Sequence, residues 1–97
     1  MDKILIVDDD ITLTMMLKTL LAKRGFEPLT ASDAARAVET LSRHEDISLV
    51  LTDMRLPDKD GTYLLEWLGR QHRPLPVIVM TGYADIDNAV LSMKLGA

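Results

Sequence analysis

Short apolar, β-branched runs alternate along this chain with stretches of helical spacing, and that alternation predicts an α/β fold, an open parallel sheet with helices on both faces. Two observations sharpen the prediction. The strand-like runs are nearly continuous in apolar residues, as strands buried on both faces must be. The weakest run, Glu27–Ala31, contains Pro28 and therefore suits an edge. Four strands alternate with four helices, so an edge position for the second strand puts the first and third side by side in the centre. The order is then 2-1-3-4, and the winding direction switches between the two central strands.

The elements follow in order. Lys3–Val7 is the first strand and stops at Asp8-Asp9-Asp10. Leu13, Met16, Leu17, Leu20 and Leu21 then recur at helical spacing, with Lys18, Lys23 and Arg24 off that stripe. Asp10 or Thr12 supplies the cap, and Gly25 stands where a helix stops. After the edge strand, Ser32 is expected to cap a second helix with Ala34, Ala37, Val38 and Leu41 inward. Ile47–Thr52 is the third strand, ending at Asp53, and Arg55–Gly61 is a turn-rich loop. Thr62 opens a third helix with Leu64, Leu65 and Leu68 inward, finishing before Pro74. Pro76–Met80 is the fourth strand and ends at Thr81-Gly82. Asp85 caps a fourth helix with Ile86, Ala89, Val90 and Met93 on one face, closed by Gly96.

Ninety-seven residues accommodate a single domain, 1–97. Apolar residues make up 47% and charged residues 27%, an ordinary globular balance. The net charge is −4, and no basic tract or helix face offsets it, which argues against direct nucleic-acid binding. The apolar runs are far shorter than the ~20 residues of a membrane span. No signal-peptide pattern opens the chain, so it reads as a soluble cytoplasmic domain. Absence of cysteine removes disulfides, thiolate metal sites and cysteine nucleophiles.

Asp outnumbers Glu eleven to four. Asp is a poor helix-interior residue but a good cap and hard-cation ligand, so its placement carries information. Asp10, Asp33, Asp85 and Asp87 fall where caps and turns belong. Asp8-Asp9 follow the first strand, Asp53 the third and Thr81 the fourth, all at carboxyl ends and therefore on one rim of the sheet. Clustered carboxylates repel one another unless a cation intervenes, and oxygen donors with open positions suit Mg²⁺ alongside a phosphate. A nearby hydroxyl can donate to a phosphoryl oxygen. The set fits phosphoryl chemistry on a carboxylate.

The segments Val7-Asp8-Asp9, Leu51-Thr52-Asp53-Met54-Arg55-Leu56-Pro57-Asp58-Lys59-Asp60-Gly61 and Val79-Met80-Thr81-Gly82 resemble the receiver (CheY-like) domain of two-component response regulators, a flavodoxin-like fold. The resemblance implies that Asp53 is the phosphoacceptor. Asp9 and Asp53 would bind Mg²⁺ directly, Asp8 would assist through water, and the Arg55 backbone carbonyl would supply a further oxygen. Thr81 would be the switch hydroxyl, and Arg55 and Tyr83 would occupy the positions that shape water access to the phosphoryl group. It further implies a sensor histidine kinase as donor and an output domain outside this stretch of chain. Thr81–Val90 with Met93–Ala97 resembles receivers attached to transcriptional activators, so the expected output is DNA-binding and transcriptional.

Family receivers continue beyond the position of Gly96-Ala97 into a fifth strand, a Lys-Pro pair and a fifth helix. The expectation here is a domain lacking that final β-α unit, including the Lys that contacts the phosphoryl group and the aromatic that couples to Thr81. Neither Lys59 nor Lys94 matches that Lys. A fourth strand left as an apolar edge would invite pairing with another chain, as a dimer or a strand-swapped oligomer.

Two rival readings stand beside this one. Asp8-Asp9-Asp10-Ile11-Thr12 also fits the Asp-x-Asp-x-Thr signature of haloacid-dehalogenase-like phosphatases, with Asp8 as nucleophile and Asp10 as acid/base, but that family's later Lys and acidic pair have no counterpart after Thr81. A binding module that keeps the fold without being phosphorylated would have no use for Asp8, Asp9, Asp53 and Thr81. A nucleotide-binding domain is excluded because no Gly-rich loop follows the first strand. His44 and His72 read as surface residues without metal spacing. Met15, Met16, Met80 and Met93 read as lying on or beside core stripes, and Trp67 as packing over the third helix.

Overall fold

The computed structural model describes residues 2–60 and 62–80. Its elements are β1 (Lys3–Val7), α1 (Ile11–Lys23), β2 (Glu27–Ala31), α2 (Ala34–Arg43), β3 (Ile47–Asp53), α3 (Thr62–Arg70) and β4 (Val77–Met80). All strand pairs are parallel and the order is β2-β1-β3-β4, as the sequence predicts. The expected fourth helix, with its Asp85 cap, lies outside the described residues.

Alternation of side chains along each strand divides the core in two. Leu5 and Val7 of β1 point with Val50 toward α2 and α3, where they meet Ala34, Ala37, Leu41, Leu64 and Leu68. Ile4 and Ile6 point the other way with Leu49 and Leu51, onto Leu17 and Leu21 of α1. Burial on both faces is why β1 reads as one unbroken apolar run. The β1–β3 register shifts between Lys3 and Ile4, whose partners are Ile47 and Leu49, leaving Ser48 as the extra residue. That bulge lets Ile47 and Val50, three apart, share one face of the sheet.

Pro28 sits on the edge strand opposite Ile4. The Glu27 amide donates inward to the Asp2 carbonyl at 2.9 Å. By alternation the nitrogen of Pro28 faces outward, where no ladder bond is lost.

The helix ends follow from local chemistry. Asp10 caps α1 by accepting from the Leu13 amide. At its other end Gly25 adopts φ 87°, and the amides of Gly25 and Phe26 return to the carbonyls of Ala22 and Leu21. This is a Schellman motif, closed by apolar contact within the cluster that holds Phe26 and Leu21. The end of α3 repeats it: the amides of His72 and Arg73 reach the carbonyls of Gly69 and Leu68, and His72 takes the left-handed position at φ 54°. The turn delivers the Arg73 guanidinium to the carbonyls of Leu41 and His44 at the end of α2.

Several expectations are corrected. The cap of α2 is Asp33, whose carboxylate accepts from the Arg36 amide, and not Ser32; the helix begins one residue later than expected, which moves the cap position onto the acid. Leu65 is exposed at 45%. At 100° per residue Tyr63 and Trp67 extend the packed stripe to one side of Leu64 and Leu68, and Leu65 falls on the other side. Met16 (45%) and Met15 (64%) are exposed as well, because α1 turns Leu17 and Leu21 to the sheet and both methionines fall outside that centre. Of the four methionines expected near the core, Met80 is buried, and Met93 lies outside the described residues. Trp67 packs against the core as expected.

Candidate functional site

Parallel pairing places the carboxyl ends of β1 and β3 together. Val7 lies opposite Thr52, so the following residues, Asp8 and Asp53, leave the sheet at the same level. Asp53 in turn pairs with Met80 of β4. Asp8, Asp9 and Asp53 each contribute a carboxylate oxygen to a group lying within 4.8 Å of one another. Asp8 is buried, Asp53 half-buried and Asp9 exposed, so the cluster opens from the switch point toward solvent.

Two hydrogen bonds hold Asp8. Its amide donates to the Ala31 carbonyl at 3.0 Å, and its Oδ1 accepts from the Asp10 amide at 2.9 Å. Burial pushes the Asp8 carboxyl above its ordinary value; the Asp10 amide opposes this, while the charges of Asp53, Asp9 and Asp10 add to it. The site thus concentrates negative charge, and among the described residues no ion pair joins Asp8, Asp9 or Asp53 to a basic side chain. Three hard oxygen donors from two adjacent strand ends fit a small divalent cation such as Mg²⁺, which binds through a few carboxylates and keeps other positions for water or phosphate.

After Asp53 the chain forms a compact loop. The backbones of Arg55 and Asp60 pair in an isolated antiparallel β-bridge, the Leu56 amide donates to the Lys59 carbonyl at 3.1 Å, and the Leu56 side chain is buried in the α2–α3 core. The Asp60 carboxylate accepts from the Thr62 amide at 3.0 Å, starting α3. Arg55 thus stands two residues past Asp53 in a loop braced at both ends. Lys59 lies with its ammonium 5.5 Å from the centre of the Tyr63 ring. Thr81 and Tyr83 lie outside the described residues.

One contact of this loop was not foreseen from the sequence. The Asp58 carboxylate accepts from the Ala34 amide at 2.9 Å and from the Ala35 amide at 3.0 Å, at the start of α2. In sequence Asp58 is one acid of a turn, and local spacing holds no sign that a helix start lies across from it. Asp10, the acid/base of the phosphatase alternative, spends its carboxylate on the α1 cap.

Fold and site together define a doubly wound α/β domain with an acidic cluster at its switch point. The family model for the response regulator receiver domain matches residues 4–97, and the chain belongs to that family. It is 37% identical over 95 residues to the response regulator protein PilR of Pseudomonas aeruginosa, covering 98% of this chain and 21% of that protein. It is 40% identical over 97 residues to the transcriptional regulatory protein CpxR of Escherichia coli K12, covering 100% of this chain and 40% of that protein. The chain therefore spans well under half the length of these relatives. Among solved structures, a response regulator receiver domain protein from Clostridium thermocellum matches with TM-score 0.80 and 37% identity, over 100% of this chain and 78% of that one. The response regulator TrrA of Thermotoga maritima, solved with Mg²⁺ and a beryllium fluoride, matches with TM-score 0.78 and 26% identity, over 86% and 71%.

Proposed function

We propose that this receiver domain is a phosphoacceptor switch of a two-component system in which Asp53 takes the phosphoryl group. The observation that carries the reading is the placement of Asp53 at the carboxyl end of a central strand, within 4.8 Å of Asp8 and Asp9. A carboxylate oxygen of Asp53 attacks phosphorus in line with the leaving nitrogen of a kinase phosphohistidine. The O–P bond forms as the P–N bond breaks, and the imidazole leaves with the electron pair. Asp8, Asp9, Asp53 and the Arg55 carbonyl are the groups that would hold Mg²⁺. When bound there, the ion supplies positive charge against that of the acids and of the phosphoryl oxygens. The open side of the cluster, at Asp9, is where the donor approaches.

Phosphorylation adds about −1.5 to −2 charge at the rim. Thr81, next in sequence after Met80, is the hydroxyl proposed to answer it, shifting the segment that follows β4 between two packings. A sensor histidine kinase is the proposed donor, acting on this domain in the cytoplasm, and a DNA-binding, transcriptional output domain the proposed recipient of the signal. The name of CpxR, a transcriptional regulatory protein, supports that output.

The test is intact-mass measurement after incubation with Mg²⁺ and a small phosphodonor. One phosphate adduct is expected, absent in Asp53→Asn. An adduct that persists in Asp53→Asn and disappears in Asp8→Asn would overturn the assignment in favour of phosphatase-like chemistry. Thr81→Ala should still acquire phosphate while losing the conformational response.

A further inference from the structure

We propose that Asp58 is a positioning residue for the cation site, tying the loop that leaves the phosphoacceptor strand to the start of α2. This rests on the functional reading above. Amides at a helix start have no intrahelical acceptor, and the first turn carries partial positive charge. At α2 two carboxylates divide these donors. Asp33 takes the Arg36 amide from within the local chain, whereas Asp58 reaches across from the β3–α3 loop to take Ala34 and Ala35. Burial raises the Asp58 carboxyl, yet the amides of Ala34 and Ala35 and of its own loop outweigh this and hold it below its ordinary value.

The loop so anchored begins directly at Asp53. Between Asp53 and the anchor lie Arg55, whose backbone pairs with that of Asp60, and Leu56, buried against the same core as Ala34 and Ala37. The opposite side of the site hangs from the same corner, since the Asp8 amide donates to Ala31, three residues before Ala34. The β2–α2 corner thus fixes both the acid pair after β1 and the loop after β3. Without Asp58 the loop keeps its apolar plug at Leu56 but loses the polar fixture at its tip, and the Arg55 carbonyl gains freedom relative to the carboxylates.

The test compares two carboxylates that serve one helix end, only one of which belongs to the loop. Mg²⁺ alone is titrated calorimetrically into the intact protein and its Asp58→Ala, Asp58→Asn and Asp33→Ala variants, with Tm measured for each. Asp58→Ala is expected to weaken Mg²⁺ binding by about 10-fold, the scale of outer-shell losses. Asp58→Asn keeps one acceptor oxygen, so its affinity should fall between those of the parent and Asp58→Ala. Asp33→Ala should lower Tm without changing Mg²⁺ affinity. Unchanged affinity in Asp58→Ala, or equal weakening in Asp33→Ala, would overturn the positioning role and leave the functional reading standing. A parent protein that binds no Mg²⁺ would overturn both.

Discussion

Asp8 and Asp53 leave adjacent parallel strands at one level because Val7 and Thr52 are register partners. The sheet's own ladder therefore forces two like charges together, and Asp9 adds a third. That repulsion is built into the fold, and its relief is measurable.

Asp8 is the most direct probe. Its carboxyl sits above the ordinary value of 3.8, so the folded state holds its proton to higher pH than the unfolded state does. In metal-free protein this group's contribution makes stability fall as pH rises through the interval above 3.8. Asp8→Asn should remove that slope and raise Tm at neutral pH without metal, since the amide oxygen can still accept from Asp10. The same variant should lose most of the Tm gain that Mg²⁺ gives the parent. Thermal melts from pH 4 to 8, with and without Mg²⁺, check both effects.

Asp58 should behave with the opposite sign. Its carboxyl lies below the ordinary 3.8, so its stabilising contribution is present above that value and lost as pH falls through the folded-state value. Asp58→Asn should flatten the acid limb of the Tm profile relative to the parent. Melts between pH 5 and 2.5, at constant ionic strength, separate the two cases.

The left-handed residue at the end of α3 offers a stabilising change. His72 takes φ 54° at the position where Gly25 serves α1. A side chain there costs about 1 kcal/mol that glycine avoids. His72→Gly should raise unfolding free energy by about that amount, measured by urea denaturation, while Gly25→Ala should lower it.

Arg73 should be costly to lose. Its guanidinium donates to the carbonyls of Leu41 and His44, which end α2. Charged hydrogen bonds of this kind are worth about 1.5–3 kcal/mol. Arg73→Met, which keeps an unbranched chain and removes the donors, should lower unfolding free energy within that range while leaving Mg²⁺ affinity unchanged.

The sheet was legible in the sequence because burial on both faces demands unbroken apolar strands, and Pro28 singled out the edge. The acidic cluster was legible because strand ends in a parallel sheet share a rim, so Asp8, Asp9 and Asp53 could be brought together without knowing a distance. Contacts between elements were not legible in the same way. Asp58 meets the amides of Ala34 and Ala35 across more than twenty positions of sequence, and its letter matches that of any turn acid. Leu65 satisfied a pattern of apolar letters, yet the packed stripe of α3 extends the other way round, through Tyr63 and Trp67, and leaves Leu65 exposed. His72 occupies a place that glycine usually marks, so the motif at the end of α3 carried no signal in composition. The Ser48 bulge likewise leaves no mark in a run of strand-forming residues.

Pro28 has a consequence beyond the placement of one strand. A parallel sheet's outer edge is a template: each outward amide can recruit the carbonyl of an arriving chain, and repetition of that step builds fibrils. On β2 the outward positions are Pro28 and Thr30, and Pro28 has no proton to offer. An incoming strand would find a gap at the second position of a five-residue edge and could not form a continuous ladder. Copies of this domain that approach on that side meet one outward amide, that of Thr30, where an unbroken edge of this length would offer two, so a ring closure in the backbone halves the donors available for strand addition.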